Sequence, residues 1–179
     1  IRTPMNAIVG MTAIAGANIN NRESVVECLG KITSSSRHLL GLINEVLDMA
    51  SIESGKLSLV NEDFNLPDLV DNMITMIKPE IEAHHHDLAV HIHEIVHENV
   101  CADSTRIQQA FLNLASNAIK YTPDGGKITV TIRERASKSS NIGCYECSVE
   151  DNGIGMTEEF QKIMFEPFTR ADDHRTTKV

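Results

Sequence analysis

Residues 111–122 read FLNLASNAIKYT and carry two kinds of side chain at helical spacing. One set is apolar and predicts a helix face directed at a core: Ile107, Phe111, Leu114 and Ala118. Asn113, Asn117 and Lys120 fall at i, i+4 and i+7, so they share a second, polar face. An amide oxygen can ligate Mg²⁺, and a lysine one turn away can neutralise a phosphate. An ordinary solvated helix face would show the same pattern, so this stretch alone leaves both interpretations open.

A second polar signal lies downstream, at Asp151-Asn152-Gly153-Ile154-Gly155. The carboxylate of Asp151 follows an alternating strand pattern and can accept a hydrogen bond from an exocyclic amine such as that of adenine. Glycines beside it let the backbone approach a flat ring or a ribose. A plain Gly-rich turn after a strand is the alternative. The segment lacks the glycine spacing of a dinucleotide site and the Gly-Lys-Ser/Thr of a P-loop.

Composition limits the classes of partner. The 179 residues suffice for one ordinary domain, or for a small domain with a helical appendage. A net charge of −9, from 16 basic and 25 acidic residues, argues against nucleic acid or an anionic membrane surface as the main partner. A polyanion such as ATP would therefore have to be held by local amides, a lysine and a metal.

Cysteine usage and hydropathy favour the cytoplasm. The four cysteines form no disulfide framework in a chain of this length, so we expect reduced thiols. No apolar run approaches the roughly 18 residues of a membrane span, and any membrane attachment would come from segments outside this chain. The chain opens at Ile1 without an initiator Met and ends in a polar stretch, so we expect a piece of a longer protein.

The N-terminal third predicts a helical hairpin. One helix covers residues 1 to about 18, an Asn-rich turn covers 18–21, and a second helix runs from Arg22 to about Ser54, with Gly55 as its C-terminal cap. The second helix carries an unbroken heptad seam: Val25, Leu29, Ile32, Ser36, Leu39, Ile43, Val46 and Ala50. Two helices cannot bury so broad a stripe, so we expect two hairpins to form a dimeric four-helix bundle. Packing against the chain's own downstream domain is the alternative.

Helical and strand patterns are mixed after Gly55. We expect a short strand at 56–60, a helix over 66–83, a strand that buries Leu88, Val90 and Ile92, and a brief strand at 100–102. Asp103 or Ser104 can cap the helix that carries Asn113. Residues 127–135 and 145–151 alternate and predict a hairpin. The sequence thus predicts an α+β sandwich, with helices on one face of a mixed sheet.

Three motifs in this order resemble the N, G1 and F boxes of sensor histidine kinases. They are Asn113-x-x-x-Asn117-Ala118-x-Lys120-Tyr121-Thr122, Asp151-x-Gly153-x-Gly155-Met156 and Phe165-Glu166-Pro167-Phe168. The opening Ile1-Arg2-Thr3-Pro4-Met5-Asn6 is similar to the end of their phosphoacceptor motif, His-Glu-Ile-Arg-Thr-Pro. The resemblance covers essentially the whole chain.

The resemblance implies two domains. Residues 1–55 would form a dimerisation and histidine-phosphotransfer hairpin, and residues 56–179 a catalytic ATP-binding domain with the Bergerat fold, incomplete at the lid. It also implies that Asn117 ligates Mg²⁺, that Asn113 supports it or contacts phosphate, and that Lys120 and Tyr121 meet phosphate and ribose.

The same resemblance assigns the other side of the nucleotide and one residue of the hairpin. Asp151 would hold the adenine amine, Gly153 and Gly155 would shape the purine pocket, and Met156 would fill space in the pocket or core. Phe165 and Phe168 would pack the base of a mobile lid that begins near Thr169. Thr3 falls four residues after the expected phosphohistidine, where it can orient water for dephosphorylation of a response regulator.

Two parts of the family pattern are missing from this sequence. The phosphoacceptor histidine should lie two residues before Ile1, and a second Gly-rich box should follow Val179. We therefore expect that residues 1–179 alone cannot autophosphorylate in the family's manner. The leading hypothesis is the cytoplasmic kinase core of a larger bacterial sensor: a homodimer that uses ATP and Mg²⁺ and passes phosphate to a response-regulator aspartate. The alternatives are a non-catalytic dimeric docking module with a degenerate pocket, or another ATPase or anti-sigma-type kinase of this fold.

Two eye-catching clusters have simpler explanations. His91 and His93 share one strand face at a spacing that can hold a metal, but the apolar residues between and beside them already explain the strand. Cys144 and Cys147 have Cys-x-x-Cys spacing, yet residues three apart on a strand point to opposite faces. We expect neither cluster to be a metal or redox site.

Overall fold

The computed structural model describes residues 1–93, 95–139, 141–166 and 169. The chain divides into two compact units, Ile1–Ser58 and Leu59–Val179.

The first unit is a pair of packed helices, α1 (Arg2–Ala17) and α2 (Arg22–Glu53). The side chain of Asn21 caps α2 by accepting a hydrogen bond from the backbone N–H of Ser24, at 3.1 Å. Gly55 follows the end of α2 with φ of +64°, a conformation that suits glycine after a helix. The predicted hairpin and the terminal role of Gly55 are both confirmed.

α1 covers only one strip of α2. Cys28 is buried between the helices, whereas the seam residues Leu29, Ile43 and Val46 remain exposed. Apolar side chains beside the seam are exposed too: Val26, Leu40 and Leu47. A single neighbouring helix cannot reach round a stripe of this width, so within one chain much of the apolar surface of α2 stays in solvent.

Within its described residues, the second unit contains three helices and five strands. In chain order they are β1 (Glu62–Asn65), α3 (Leu66–Ala83), β2 (Asp87–His93), β3 (Asn99–Ala102), α4 (Ser104–Tyr121), β4 (Lys127–Arg135), β5 (Cys144–Asp151) and α5 (Glu158–Gln161). β1 and β3 pair antiparallel, and β2, β4 and β5 form a mixed sheet in which β4 is parallel to β2 and antiparallel to β5. The α+β class and the β4–β5 hairpin are as predicted.

The core of this unit lies between α3, α4 and one face of β4. Alternate residues of β4 are almost without exposure, and they face apolar residues at helical spacing on both helices. The cluster includes Val70, Met73, Ile77, Phe111, Ala115, Ile119, Ile128, Val130 and Ile132. Burial on this scale fixes α4 over the sheet, and with it the direction of the polar face of α4.

The apolar face of α4 is rotated relative to the prediction. Phe111 and Ala118 are buried as expected, but Ile107 and Leu114 are exposed, and Ala115 and Ile119 are buried instead. Small alanines let the helix approach the sheet closely along this stripe. Ile107 and Leu114 instead border a cavity of about 1040 Å³ in the second unit.

Two predictions about strands need correction. Residues 56–60 form no strand, because the partner strand β3 pairs with Glu62–Asn65, and Val60 N–H instead donates to the carboxylate of Asp103 at 3.0 Å. On β2, Val90 and Ile92 stay partly exposed although they lie on the apolar face. Among the described strands β2 is an edge of its sheet, so it has a neighbour on one side only.

Candidate functional site

The polar face of α4 is held in place from the start of the helix. The carboxylate of Asp103 accepts hydrogen bonds from the N–H groups of Val60 and Arg106, both at 3.0 Å, and these bonds lower the pKa of Asp103. Asp103 is therefore the cap, one of the two residues predicted for that role. Further along, Asn113, Asn117 and Lys120 are all exposed.

The last turn of α4 adds a cation and an aromatic ring. Lys120 Nζ lies 5.0 Å from the centre of the Tyr121 ring, a cation–π arrangement, and the Tyr121 side chain is partly exposed. A lysine near the C-terminal end of a helix also has a favourable interaction with the helix dipole. The ammonium group therefore has a defined position at the surface, where an anion can reach it.

Asp151 is the last residue of β5 and pairs with Ile128. Its Oδ1 accepts a hydrogen bond from Gly153 N–H at 2.9 Å, which closes a local Asx turn. One carboxylate oxygen is therefore used by the turn, and the other can accept a hydrogen bond from an outside donor.

The turn after β5 lies directly against the end of α4. Ile154 N–H donates to the Tyr121 carbonyl at 3.1 Å. A Cβ atom placed on Gly153 would lie 2.3 Å from that same carbonyl oxygen, so only glycine allows this approach. Asn117 lies one helical turn before Tyr121. The structure thus brings the last turn of α4, which carries Lys120 and Tyr121, next to the tip of β5.

Asn152 also takes part in this junction, and sequence reasoning missed it. Its Oδ1 accepts a hydrogen bond from Lys127 N–H at 2.7 Å, and its own N–H donates to the Lys127 carbonyl at 3.2 Å. An Asn before a Gly is common in turns of every kind. The local pattern therefore could not reveal a partner 25 positions away.

Several predicted residues lie away from this junction. Met156 is exposed, and Phe165 is 90% exposed, so the expected packing of Phe165 at the base of a lid is not present among the described residues. Phe168 lies outside the residues that the structure describes. Gly155 has φ of +67° and open space around it. Thr3 belongs to the other unit, where it is exposed in the first turn of α1.

The cavity of about 1040 Å³ is a separate feature of the second unit. Apolar side chains from several elements line it, including Leu66, Val100, Ile107 and Leu114. None of the predicted nucleotide-site residues in the described part of the chain is among its lining. The candidate site is therefore a surface formed by α4 and the turn after β5, and not this cavity.

A carboxylate with a strongly lowered pKa, that of Glu134, lies at the other end of the β4–β5 hairpin. Glu134 accepts hydrogen bonds from the N–H groups of His97 and Val96, and its Oε1 lies 2.6 Å from His97 Nδ1. These contacts lower the pKa of Glu134 to about 2. Tyr145 Oη also donates to the His97 carbonyl, at 2.8 Å. This network fastens the loop before β3 and leaves little of Glu134 available to a ligand.

Three further features concern metal binding and membrane crossing. Within the described residues, no group of three or more His, Cys, Asp or Glu side chains could hold a metal ion. His91 and His93 stack at 5.9 Å and are exposed, as expected for the wet face of β2. None of the helices that the structure describes is long and apolar enough to cross a membrane.

Two family models match the chain. The model of the His Kinase A (phospho-acceptor) domain matches residues 1–55, and that of the histidine kinase-, DNA gyrase B- and HSP90-like ATPases matches residues 102–179. The chain belongs to the sensor histidine kinases.

Relatives of this kinase core agree with the assignment. It is 34% identical to the sensor histidine kinase GacS of Pseudomonas protegens, over 97% of this chain and 18% of that protein. It is 33% identical to the histidine-protein kinase BarA of Escherichia coli, over 96% of this chain and 18% of that protein. The kinase core therefore spans about a fifth of the length of the curated relatives it matches.

Solved histidine kinases share the architecture. Histidine kinase ThkA, in complex with the response regulator protein TrrA, matches with a TM-score of 0.65 and 25% identity, over 94% of this chain and 47% of that one. Histidine kinase AdeS of Acinetobacter baumannii matches with a TM-score of 0.63 and 18% identity, over 90% and 76% of the two chains. At that identity the second match speaks for the fold alone.

Proposed function

We propose that the second unit of this kinase core binds ATP with Mg²⁺ and presents the nucleotide for phosphoryl transfer to a histidine and then to a response-regulator aspartate. The observation that carries the proposal is the contact of Ile154 and Gly153 with the Tyr121 carbonyl, since it joins the last turn of α4 to the tip of β5. We further propose that residues 1–55 and 56–179 are the phosphotransfer and ATP-binding domains.

The donor set suits a nucleotide that brings its own hard cation. Asn117 offers an amide oxygen, a ligand type that Mg²⁺ accepts beside phosphate oxygens and water. Asn113 supports that ligand or contacts phosphate, while Lys120 and Tyr121 meet phosphate and ribose.

In the proposed complex, the carboxylate of Asp151 accepts a hydrogen bond from the adenine amine. Its Oδ1 is fixed by Gly153 N–H, so the carboxylate has a set orientation before a ligand binds. Gly153 and Gly155 provide backbone without side chains beside the ring, and Met156 with Phe165 and Phe168 would close over it. ATP supplies the γ-phosphoryl group, and the chain's contribution is positioning and charge neutralisation.

The hairpin completes the proposed function by dimerisation. Exposed apolar residues on both helices, among them Met5, Val9, Leu29, Ile43 and Val46, form surface that a second hairpin can cover. We propose a homodimeric four-helix bundle that docks a response regulator. Thr3 would lie beside the acceptor histidine and orient water when the regulator is dephosphorylated.

Calorimetry with ATP and Mg²⁺ tests the nucleotide site. We expect Asn117→Asp and Asp151→Asn each to abolish measurable binding, because one places a charge beside the phosphates and the other removes the acceptor for the adenine amine. Asn61→Asp and Asp71→Asn are matched controls, since both residues are exposed and lie in other parts of the second unit. Unchanged affinity in both site variants would remove the assignment. A dimer that then still bound a regulator would favour the docking module.

A further inference from the structure

The side chain of Asn152 replaces a backbone hydrogen bond that is missing at the end of the β4–β5 pair. The last paired residues of the hairpin are Ile128 and Asp151, and the chain turns away at the next position. Lys127 N–H would then lose its acceptor, but the side-chain Oδ1 of Asn152 accepts this hydrogen bond at 2.7 Å. The return bond, from Asn152 N–H to the Lys127 carbonyl, measures 3.2 Å. The side chain therefore lets the backbone leave the sheet after Asp151 while Lys127 N–H keeps a hydrogen-bond acceptor.

The surroundings of Asn152 leave it little freedom. A Cβ atom on Gly126 would lie 2.9 Å from Asn152 Oδ1 and 2.3 Å from Thr122 Cγ2, so the turn between α4 and β4 fits only because residue 126 is glycine. On the other side, Gly153 is in similarly close contact with the Tyr121 carbonyl. Asn152 thus lies between Gly126 and Gly153. Gly126 allows the turn before β4 to approach Asn152, and Gly153 allows the turn after β5 to approach the end of α4.

Asn152 and Ile154, the two neighbours of Gly153 in the chain, are hydrogen-bonded to different elements. Asn152 is bonded to the start of β4, and Ile154 is bonded to the end of α4. Asp151 comes directly before this bridge, and its carboxylate is oriented by Gly153 N–H. A displacement of Asn152 would therefore move the acid at the tip of β5 relative to the polar face of α4.

We propose that Asn152 is a positioning residue of the nucleotide site, whose side-chain hydrogen bond to Lys127 N–H fixes the distance between Asp151 and the end of α4. The inference rests on the proposed ATP-binding function and deepens it. Asn152 acts through Asp151 and Gly153. Loss of its side chain therefore lowers the preference for adenine nucleotides without unfolding the second unit.

The test compares Asn152→Ala with Asn152→Thr in the full kinase core. Alanine removes the acceptor, whereas threonine keeps an uncharged oxygen that replaces an Asn acceptor, though more weakly. One readout is independent of nucleotide: hydrogen exchange at the Lys127 amide, which should become faster in Asn152→Ala. The second is the ratio of affinities for ATP and inosine triphosphate, both with Mg²⁺, since inosine triphosphate lacks the amine that Asp151 would read.

We expect Asn152→Ala to weaken ATP binding about five- to tenfold, the size of one lost hydrogen bond, and to bring the two affinities closer together. Asn152→Thr should recover part of the difference, and Asn61→Ala should leave both readouts unchanged. The inference is overturned if Asn152→Ala leaves the affinity ratio unchanged, with or without faster exchange at Lys127, or if threonine recovers nothing.

Failure of the proposed function has a different signature. In that case Asp151→Asn itself leaves ATP affinity and the ratio as they are in the unmodified chain, and the inference about Asn152 falls with it. If Asp151→Asn removes the preference for ATP while Asn152→Ala retains it, only the positioning role is wrong.

Discussion

The two long helices α2 and α4 differ in what covers their apolar faces. In α4 the stripe of Phe111, Ala115, Ala118 and Ile119 is buried against its own unit, and the polar face is exposed. In α2 only a strip that includes Cys28 is buried, and apolar seam residues remain in solvent. The difference fits the function proposed for each unit, in which α4 offers polar groups to a nucleotide and α2 offers apolar surface to a second copy of the chain.

The largest expected effect lies in the covered stripe of α4. Phe111→Ala should lower the free energy of unfolding of the second unit by about 3–5 kcal/mol, because a buried aromatic side chain leaves a cavity. Leu114→Ala on the same helix should cost only about 1 kcal/mol, since half of that side chain is already exposed. Urea denaturation followed by circular dichroism measures both. Equal costs would mean that the apolar face is the one expected from sequence periodicity.

The exposed seam of α2 should matter for association. Val46→Glu places a carboxylate in the proposed bundle interface, and we expect the dimer to dissociate roughly a hundredfold more readily because that charge would be buried without a partner. Ser34→Glu, on an exposed position of α2 away from the seam, is the matched control. Analytical ultracentrifugation over a concentration series gives the dimer dissociation constant of each variant. A dimer unaffected by Val46→Glu would show that another surface joins the chains.

A smaller effect on stability is expected in acid. It involves Glu134, at the end of the β4–β5 hairpin remote from the candidate site. The pKa of Glu134 is about 2 in the folded chain, below its ordinary value of 4.5, so this carboxylate stabilises the fold above pH 4.5. That contribution is lost as the pH falls from about 4.5 towards 2. Glu134→Gln should therefore flatten the decline of melting temperature between pH 5 and pH 3.

Glu150→Gln, at an exposed position of β5, is the control for this experiment. A decline as steep in Glu134→Gln as in the unmodified chain would mean that the hydrogen bonds from His97 and Val96 do not stabilise the charged form of Glu134.

Sequence periodicity was sufficient for the elements whose signals are local. The bounds of the helical hairpin, the helix over 66–83, the role of Gly55 and the β4–β5 hairpin all follow from spacing, caps and turn residues. It failed where a distant partner decides the outcome. Residues 56–60 were predicted as a strand but pair with no described strand, and the strand forms at Glu62–Asn65 because β3 lies beside it.

The candidate site shows the same division between local and distant information. The motifs name Asn117 and Asp151 from the chain itself, and the structure brings their elements together at Tyr121. The parts contributed by Asn152 and by the Glu134–His97 pair could not be predicted, because their partners lie 25 and 37 positions away. Hydrogen bonds of this kind depend on register, which a single sequence does not display.

The carbonyl of Tyr121 has a consequence for how the site opens. Terminal turns of helices normally fray on their own, yet here the final carbonyl of α4 is the acceptor for Ile154 N–H. Unwinding of that turn therefore releases the glycine segment after β5 at the same moment. The end of α4 and the tip of β5, which form the two sides of the proposed nucleotide site, should thus lose their order together, as a single cooperative unit in local unfolding.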